Sequence, residues 1–266
     1  MNSIYFFNLP LLLIALITLV LIIVFNWLGH FYRQWQMKKY PGVELGHLGA
    51  IEGALLGLLT LMLAFSYGIV ATRYEVGRQL IVDESKIVTV AINRCDLYPD
   101  SLLNGLHSDF KRYVEARINF FISGTNEDKI ALSLKDGRNA LDRIRGLVMS
   151  LPQNQDNHFR TLLMVPALDN MEDVALSSEA ARRSRLPQII LWMLLLLTVA
   201  SSFLVGFATT GNRRNLIMLA VFALMTTAAF YLVIELDHPR QGFINLDVEV
   251  KNIIDLRNFF LDETRH

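Results

Sequence analysis

The sequence predicts an all-α membrane protein with four transmembrane helices and a helical-bundle domain inserted between the second and the third. Two observations support this prediction. The 266 residues are 53% hydrophobic and only 19% charged, below the quarter that is usual for soluble domains. The apolar residues also come in four long blocks, each close to the ~20 residues that a helix needs to cross a ~30 Å hydrocarbon core. Because backbone polar groups have no water partners in lipid, each block is expected to be helical.

The four blocks define the predicted spans, which are residues 9–28, 48–71, 186–208 and 216–236. The first block carries no charge and ends among the aromatic residues Trp27, Phe31, Tyr32 and Trp35, which are typical of a membrane interface. It is too long for a signal-peptide core and no small-x-small cleavage site follows it, so we expect a retained helix.

Residues 72–185 are predicted to form a water-facing domain, because basic and acidic side chains are frequent and balanced there. No proline interrupts residues 72–94, so the second span is expected to continue out of the membrane as one long helix. Pro99-Asp100-Ser101 is expected to end that helix and to cap the next one. Three further stripes of apolar residues at helical spacing then indicate a bundle, and one charged residue, Arg117, interrupts the first of them.

Residues 237–266 are predicted to form a turn and an amphipathic helix. Asp237, Pro239 and Gly242 make up the turn, in which Asp237 ends the fourth span and caps the segment that follows. The amphipathic helix either lies on the membrane surface or packs on the bundle, and its mixed polar face favours packing. The predicted domains are therefore residues 1–71, 72–185, 186–236 and 237–266.

Two segments resemble a known family. They are residues 53–84 (GALLGLLTLMLAFSYGIVATRYEVGRQLIVDE) and 235–244 (ELDHPRQGFI), and both resemble the bestrophin-like domain-of-unknown-function family of bacteria and plants. The order of two spans, helical insert, two spans and short tail is similar over almost the whole chain. The resemblance implies a likeness to bestrophins, which are pentameric ion channels with four spans and a helical cytosolic body. It therefore implies a homo-oligomer, a pentamer, with inorganic ions as ligands.

A stripe of small residues runs along the second span and consists of Gly49, Gly53, Gly57, Ala64 and Gly68. Small residues let another helix approach closely in lipid, where packing drives helix association. The stripe can pack against another span of the same chain, form a subunit interface or face a pore. The sequence leaves these alternatives open.

Several charged residues near the second and third spans are candidates for contact with ions. They are Glu52, Arg73, Arg78, Asp83, Glu84, Arg182 and Arg183. Glu52 lies inside a span, where an acid can coordinate a cation or take a proton, or can reach headgroup water or pair with His47. The other six are expected to face one another where the two helices leave the membrane. There they form ion pairs that brace the helices, a vestibule that attracts anions, or a lipid-headgroup site.

Several function classes find no support in the sequence. The net charge is zero, so nothing indicates a nucleic-acid partner. The six histidines show no metal-ligand spacing, and neither a phosphate-binding loop nor a nucleophile elbow occurs. We therefore expect no metal, no cofactor and no enzymatic activity.

The first functional hypothesis is an oligomeric ion channel with a pore lined by the second span. The alternative is a non-conducting membrane scaffold or sensor that recruits a partner through the helical domain. A third and weaker hypothesis is a transporter that uses Glu52. The sequence shows no evident inverted repeat of the kind found in many transporters. Basic residues near the span ends occur on both sides of the membrane, so their distribution does not decide the orientation of the chain. The resemblance favours a bacterial inner membrane protein with residues 72–185 in the cytoplasm.

Overall fold

The structure is a computed structural model that describes residues 10–40, 49–152, 154–209, 216–238 and 247–260. These residues form α-helices and short 3₁₀ segments, without any strand. The helices are α1 (Leu11–Lys39), α2 (Gly49–Asn93), α3 (Asp100–Ile122), α4 (Glu127–Met149), α5 (Gln155–Arg183), α6 (Gln188–Ala208), α7 (Leu216–Asp237) and α8 (Asp247–Asp255). Four of the helical stretches are long and apolar enough to cross a membrane. The prediction of an all-α membrane protein with four spans and a helical insert is confirmed.

The chain divides into two compact units. The membrane unit comprises Met1–Thr72 and Arg185–Ile244, and the bundle unit comprises Arg73–Ser184 and Asn245–His266. Helix α2 contributes to both, because it continues for 45 residues without a break, as the absence of proline predicted. The membrane boundaries at residues 71 and 186 stay a prediction.

Helix α1 is longer than the predicted first span. It continues past residue 28 to Lys39, because no proline or glycine occurs from His30 to Tyr40 and the residues there tolerate a helix. The segment expected to be a loop therefore begins with about three further helical turns.

In the membrane unit, α1 packs tightly against α6 through two glycines. A Cβ on Gly29 would lie 2.0 Å from the carbonyl oxygen of Phe203, and a Cβ on Gly206 would lie 2.0 Å from that of Asn26. Only glycine allows this approach. The Asn26 side chain also donates a hydrogen bond to the Ser202 carbonyl at 3.3 Å. The close-packing site between spans is thus on α1 and α6, which the sequence analysis did not identify.

In the bundle unit, the core forms around buried aromatic residues of α3, including Phe110, Tyr113 and Phe120. Helix α4 packs against α3 and helix α5 packs against α4. Both α4 and α5 begin after an asparagine whose side chain accepts a backbone N–H. Helix α3 differs, because it begins after Pro99 without the expected side-chain cap. Helix α5 continues through Pro166.

The C-terminal segment belongs to the bundle core. Val250 and Ile253 of α8, and Leu256 and Phe260 of the 3₁₀ turn after it, are buried against the other helices of the unit. Arg257 adds a bidentate ion pair with Glu115 of α3, at 2.7 and 2.6 Å. Of the two placements that the sequence allowed, packing on the bundle is the one observed.

Candidate functional site

Successive residues of an α-helix are 100° apart, so residues 49–72 of α2 can be grouped by the side of the helix on which they lie. They form three faces. One face is buried in the membrane unit and carries Leu59, Ser66 and Val70. The other two faces are uncovered in the single chain. They are named here the small face and the bulky face.

The small face consists of Gly49, Gly53, Gly57, Ala64 and Gly68. Apart from the adjacent backbone of α2 itself, no heavy atom of the described chain lies within 4 Å of a Cβ built on any of its four glycines. Ala64 is likewise exposed. The described residues of the same chain therefore do not fill this face. Its roles as a subunit interface or a pore lining stay predictions.

The bulky face consists of Ile51, Leu58, Leu61, Phe65 and Ile69, and all five side chains are exposed. Phe65 is the most open of them, with 59% of its surface accessible. No Asp, Glu, Lys or Arg occurs from residue 53 to residue 72. Both uncovered faces of α2 are thus free of formal charge over the length of the span.

Glu52 does not share a face with the small stripe. It precedes Leu59 by seven residues, or two turns, and therefore lies on the same side of α2 as the buried face. Its side chain is half-buried. Glu52 and the stripe of small residues, the two candidate sites that the sequence predicted in the second span, therefore lie on different sides of α2.

Farther along α2, Glu84 forms a buried ion pair that the sequence analysis did not predict. Its carboxylate accepts two hydrogen bonds from Arg117 of α3, the Nη2–Oε2 distance being 2.8 Å. Ser178 of α5 donates a third at 3.1 Å. The Glu84 and Arg117 side chains are 1% and 4% exposed. This pair holds α2 to α3 and α5.

The surroundings of Arg117 stabilise its charge. Its guanidinium lies over the rings of Phe120 and Phe121, 4.4 and 5.2 Å from their centroids. Burial lowers the pKa of Arg117, but the attraction and hydrogen bonds of Glu84, together with smaller contributions from Tyr113 and Glu179, raise the pKa above its usual value. Burial and the nearby Glu84 charge also raise the pKa of Tyr113, which keeps this phenol neutral. The charged interruption in the apolar stripe was the sequence signal for this pair.

Asp83 and Glu84 have partners other than the arginines at the end of α5. Asp83 accepts a hydrogen bond from Gln79 at 3.0 Å and lies 3.5 Å from Lys86, both on its own helix. Glu84 faces Arg117 and Ser178 instead. The expected ion pairs between these two acids and Arg182 or Arg183 are therefore not formed.

The arginines in the middle of α2 and at the end of α5 belong to the bundle unit and contact residues of that unit. Arg182 donates to the Gly124 carbonyl at 3.1 Å and to Glu127 at 3.3 Å. The other contacts are Arg183 with Glu179 at 2.6 Å, and Arg78 with Glu75 at 3.2 Å and with Glu249 at 3.6 Å. Arg73 is half-buried at the start of this unit. These contacts brace the bundle, and the vestibule role of the arginines stays a prediction.

Helix α7 ends at Asp237, as expected, but the carboxylate caps a different segment. It accepts the backbone N–H of Leu186, just before α6, at 2.7 Å. Asp237 thus joins the end of the fourth span to the beginning of the third. Pro239 and Gly242 lie outside the described residues. Among the described residues, no group of three His, Cys, Asp or Glu side chains could hold a metal ion.

Comparisons with known proteins agree over nearly the whole chain. A family model described as bestrophin-like domain matches residues 13–250. No curated protein matches. A variant of a bacterial bestrophin homologue from Klebsiella pneumoniae is 15% identical, with a TM-score of 0.65 over 92% of this chain and 99% of that chain. A crystal structure described as a membrane protein variant is 14% identical, with a TM-score of 0.69 over 94% of this chain and 97% of that one. At these identities the structures show a shared fold.

Proposed function

The chain belongs to the bestrophin-like family, and from this premise we propose that it is a homo-oligomeric ion channel whose pore is lined by α2. Identical subunits, a pentamer by resemblance to bestrophins, surround a central axis. The bundle unit lies in the cytoplasm of a bacterial cell and forms the vestibule.

The observation that carries this proposal is the pair of uncovered faces on α2. A helix that lines a closed ring needs one face toward the axis and one toward the neighbouring subunit. The small face suits the neighbour, because glycines allow close helix packing in lipid. The bulky face then lies toward the axis. Rings of exposed apolar side chains such as Phe65 form the kind of constriction that gates by dewetting.

The absence of charge on these faces supports the same arrangement. From residue 53 to residue 72 the pore wall carries no fixed charge, so ions cross a narrow apolar passage rather than a charged filter. The first charged residues of α2 after this stretch are Arg73, Glu75 and Arg78, and Arg78 pairs with Glu75. Arg73 is the charged residue nearest to the apolar stretch, and a cation at this position raises the local anion concentration near the mouth.

The mass of the purified full-length complex tests the assembly. Native mass spectrometry from detergent or nanodiscs is expected to give a closed ring. Gly57→Leu is expected to break the ring without unfolding the chain, because a Cβ at this exposed position meets nothing within 4 Å except the adjacent backbone of α2. Leu58→Ala, on the bulky face and 100° around the helix from Gly57, is the matched control and should keep the wild-type mass. A monomeric wild-type protein would contradict the proposal.

A specific surface supports the alternative, a non-conducting scaffold. Leu97, Phe159 and Leu162 expose apolar side chains on the bundle unit, and Arg160 donates a hydrogen bond to the Leu97 carbonyl at 2.6 Å, which brings these segments together. An exposed apolar patch of this kind can bind a partner protein. A stoichiometric partner retained on gentle purification, together with no ion flux, would favour this function over the channel.

A further inference from the structure

Helix α1 presents one uncovered face that continues from the membrane span to the end of the helix. The side chains that share this face are exposed at three- and four-residue intervals. They are Leu16, Val20, Val24, Trp27, Phe31 and Trp35. The opposite side of the same turns packs on α6 through Gly29 and through Tyr32, whose ring lies 6.3 Å from that of Phe203.

The order of side chains along this face matches the layers of one bilayer leaflet. Aliphatic residues come first, aromatic residues follow, and Lys38 and Lys39 come last. Aromatic residues favour the boundary between hydrocarbon and headgroups. Phe31 and Trp35 are one turn, or about 6 Å, apart, and a headgroup layer is about 5–8 Å thick. With Phe31 at the hydrocarbon boundary, Trp35 lies among the headgroups.

Lys39 brings a positive charge to the same depth as Trp35. Its ammonium lies 4.9 Å from the centroid of the Trp35 ring and 5.6 Å from that of Tyr40. The side chain therefore points back along the helix toward the membrane, as lysines near span ends do. An ammonium held at headgroup depth can bind a phosphate oxygen.

We propose that this face of α1, from Leu16 to Lys39, binds a phospholipid. The phosphate contacts the Lys39 ammonium beside the Trp35 ring, and an acyl chain lies along Phe31, Trp27 and Val24. The occupant is a lipid because the exposed side chains of the face follow the aliphatic, aromatic and basic order of a bilayer leaflet. The inference does not depend on ion conduction.

Tryptophan quenching tests the depth of the face. The chain has three tryptophans, so replacement of Trp27 and Trp192 by Phe leaves Trp35 as the only indole in the reconstituted full-length protein. Its emission is expected to be quenched about twofold or more by a nitroxide on the phospholipid headgroup, with weaker quenching by one at the acyl-chain end. The matched variant that keeps only Trp27 should prefer a shallow acyl-chain label. Quenching of Trp35 by aqueous iodide alone, or by no probe, would overturn the proposal, since the face would be in water or covered by protein.

Lipid retention tests the phosphate contact. Phosphatidylglycerol bound to the full-length protein is counted by native mass spectrometry. Lys39→Gln is expected to weaken retention about fivefold, the usual contribution of one lysine at an anionic surface. Lys111→Gln, on an exposed position of α3, should leave retention unchanged. Equal retention by Lys39→Gln and wild type would refute the site. Displacement of the lipid by millimolar inorganic phosphate would show a free-phosphate site instead.

Discussion

Replacement of Glu84 by glutamine tests the role of the buried ion pair in the bundle unit. The substitution leaves Arg117 charged, 4% exposed and without its counter-ion. Removal of one partner of a buried ion pair lowers the free energy of unfolding by about 3–5 kcal/mol. Glutamine keeps an oxygen that can accept one guanidinium hydrogen bond, so we expect a cost near the lower limit, about 3 kcal/mol.

The ion pair between Arg257 and Glu115 provides a matched control. It is also bidentate, with N–O distances of 2.7 and 2.6 Å, but its side chains are 44% and 38% exposed. Solvent-exposed pairs contribute about 0.2–1 kcal/mol. Glu115→Gln should therefore lower the free energy of unfolding by less than about 1 kcal/mol.

Hydrogen–deuterium exchange of the full-length protein in detergent measures both effects. The free energy of opening at α3 amides should fall by about 3 kcal/mol in Glu84→Gln and only slightly in Glu115→Gln. Replacement of both Glu84 and Arg117 by methionine should cost less than Glu84→Gln alone, because no unpaired charge remains. Equal effects of Glu84→Gln and Glu115→Gln would refute the reasoning.

Two further predictions follow from packing and burial. Gly29→Ala forces a Cβ onto the Phe203 carbonyl and should lower the free energy of unfolding of the membrane unit by about 1–3 kcal/mol. Gly57→Ala should leave the free energy of unfolding of the single chain unchanged or raise it by up to about 1 kcal/mol, because alanine favours the helix and its Cβ meets no other side chain. Equal effects of the two substitutions in a detergent melt would contradict this packing. Burial raises the pKa of Tyr98 to about 12 from its usual 10. The contribution of the neutral phenol to the free energy of unfolding is therefore complete below pH 10 and is lost as the pH rises from 10 to 12. The loss amounts to at most about 2 kcal/mol. Tyr98→Phe should reduce this alkaline loss, and an unchanged pH profile would show that Tyr98 does not cause it.

Features that depend on local pattern could be predicted from the sequence. Hydrophobic blocks fixed the four spans, and the absence of proline predicted that α2 continues from the membrane into the bundle. The small residues of α2 were visible as a stripe, but which face of the span meets which neighbour depends on the fold. For that reason the sequence singled out Gly53 and Gly57, while the tight contact of the single chain is at Gly29 and Gly206.

Contacts between distant residues could not be predicted in the same way. Arg117 was visible as a charge in an apolar stripe, but its partner Glu84 is 33 residues away in the chain and becomes a neighbour only when α3 folds back on α2. The cap from Asp237 to Leu186 joins two spans across 51 residues. Side-chain chemistry identified Asp237 as a capping residue, but only the fold decides which backbone N–H it accepts.

Ion flux through the reconstituted full-length protein tests the channel most directly. We expect vesicles with the wild-type complex to pass ions faster than empty vesicles. Phe65→Ala should raise the flux, because it removes the most exposed ring of the bulky face. Phe159→Ala, an equally exposed phenylalanine on the bundle unit, should leave the flux unchanged. No flux from wild type and from Phe65→Ala, with the ring mass intact, would contradict the assignment of α2 as the pore helix.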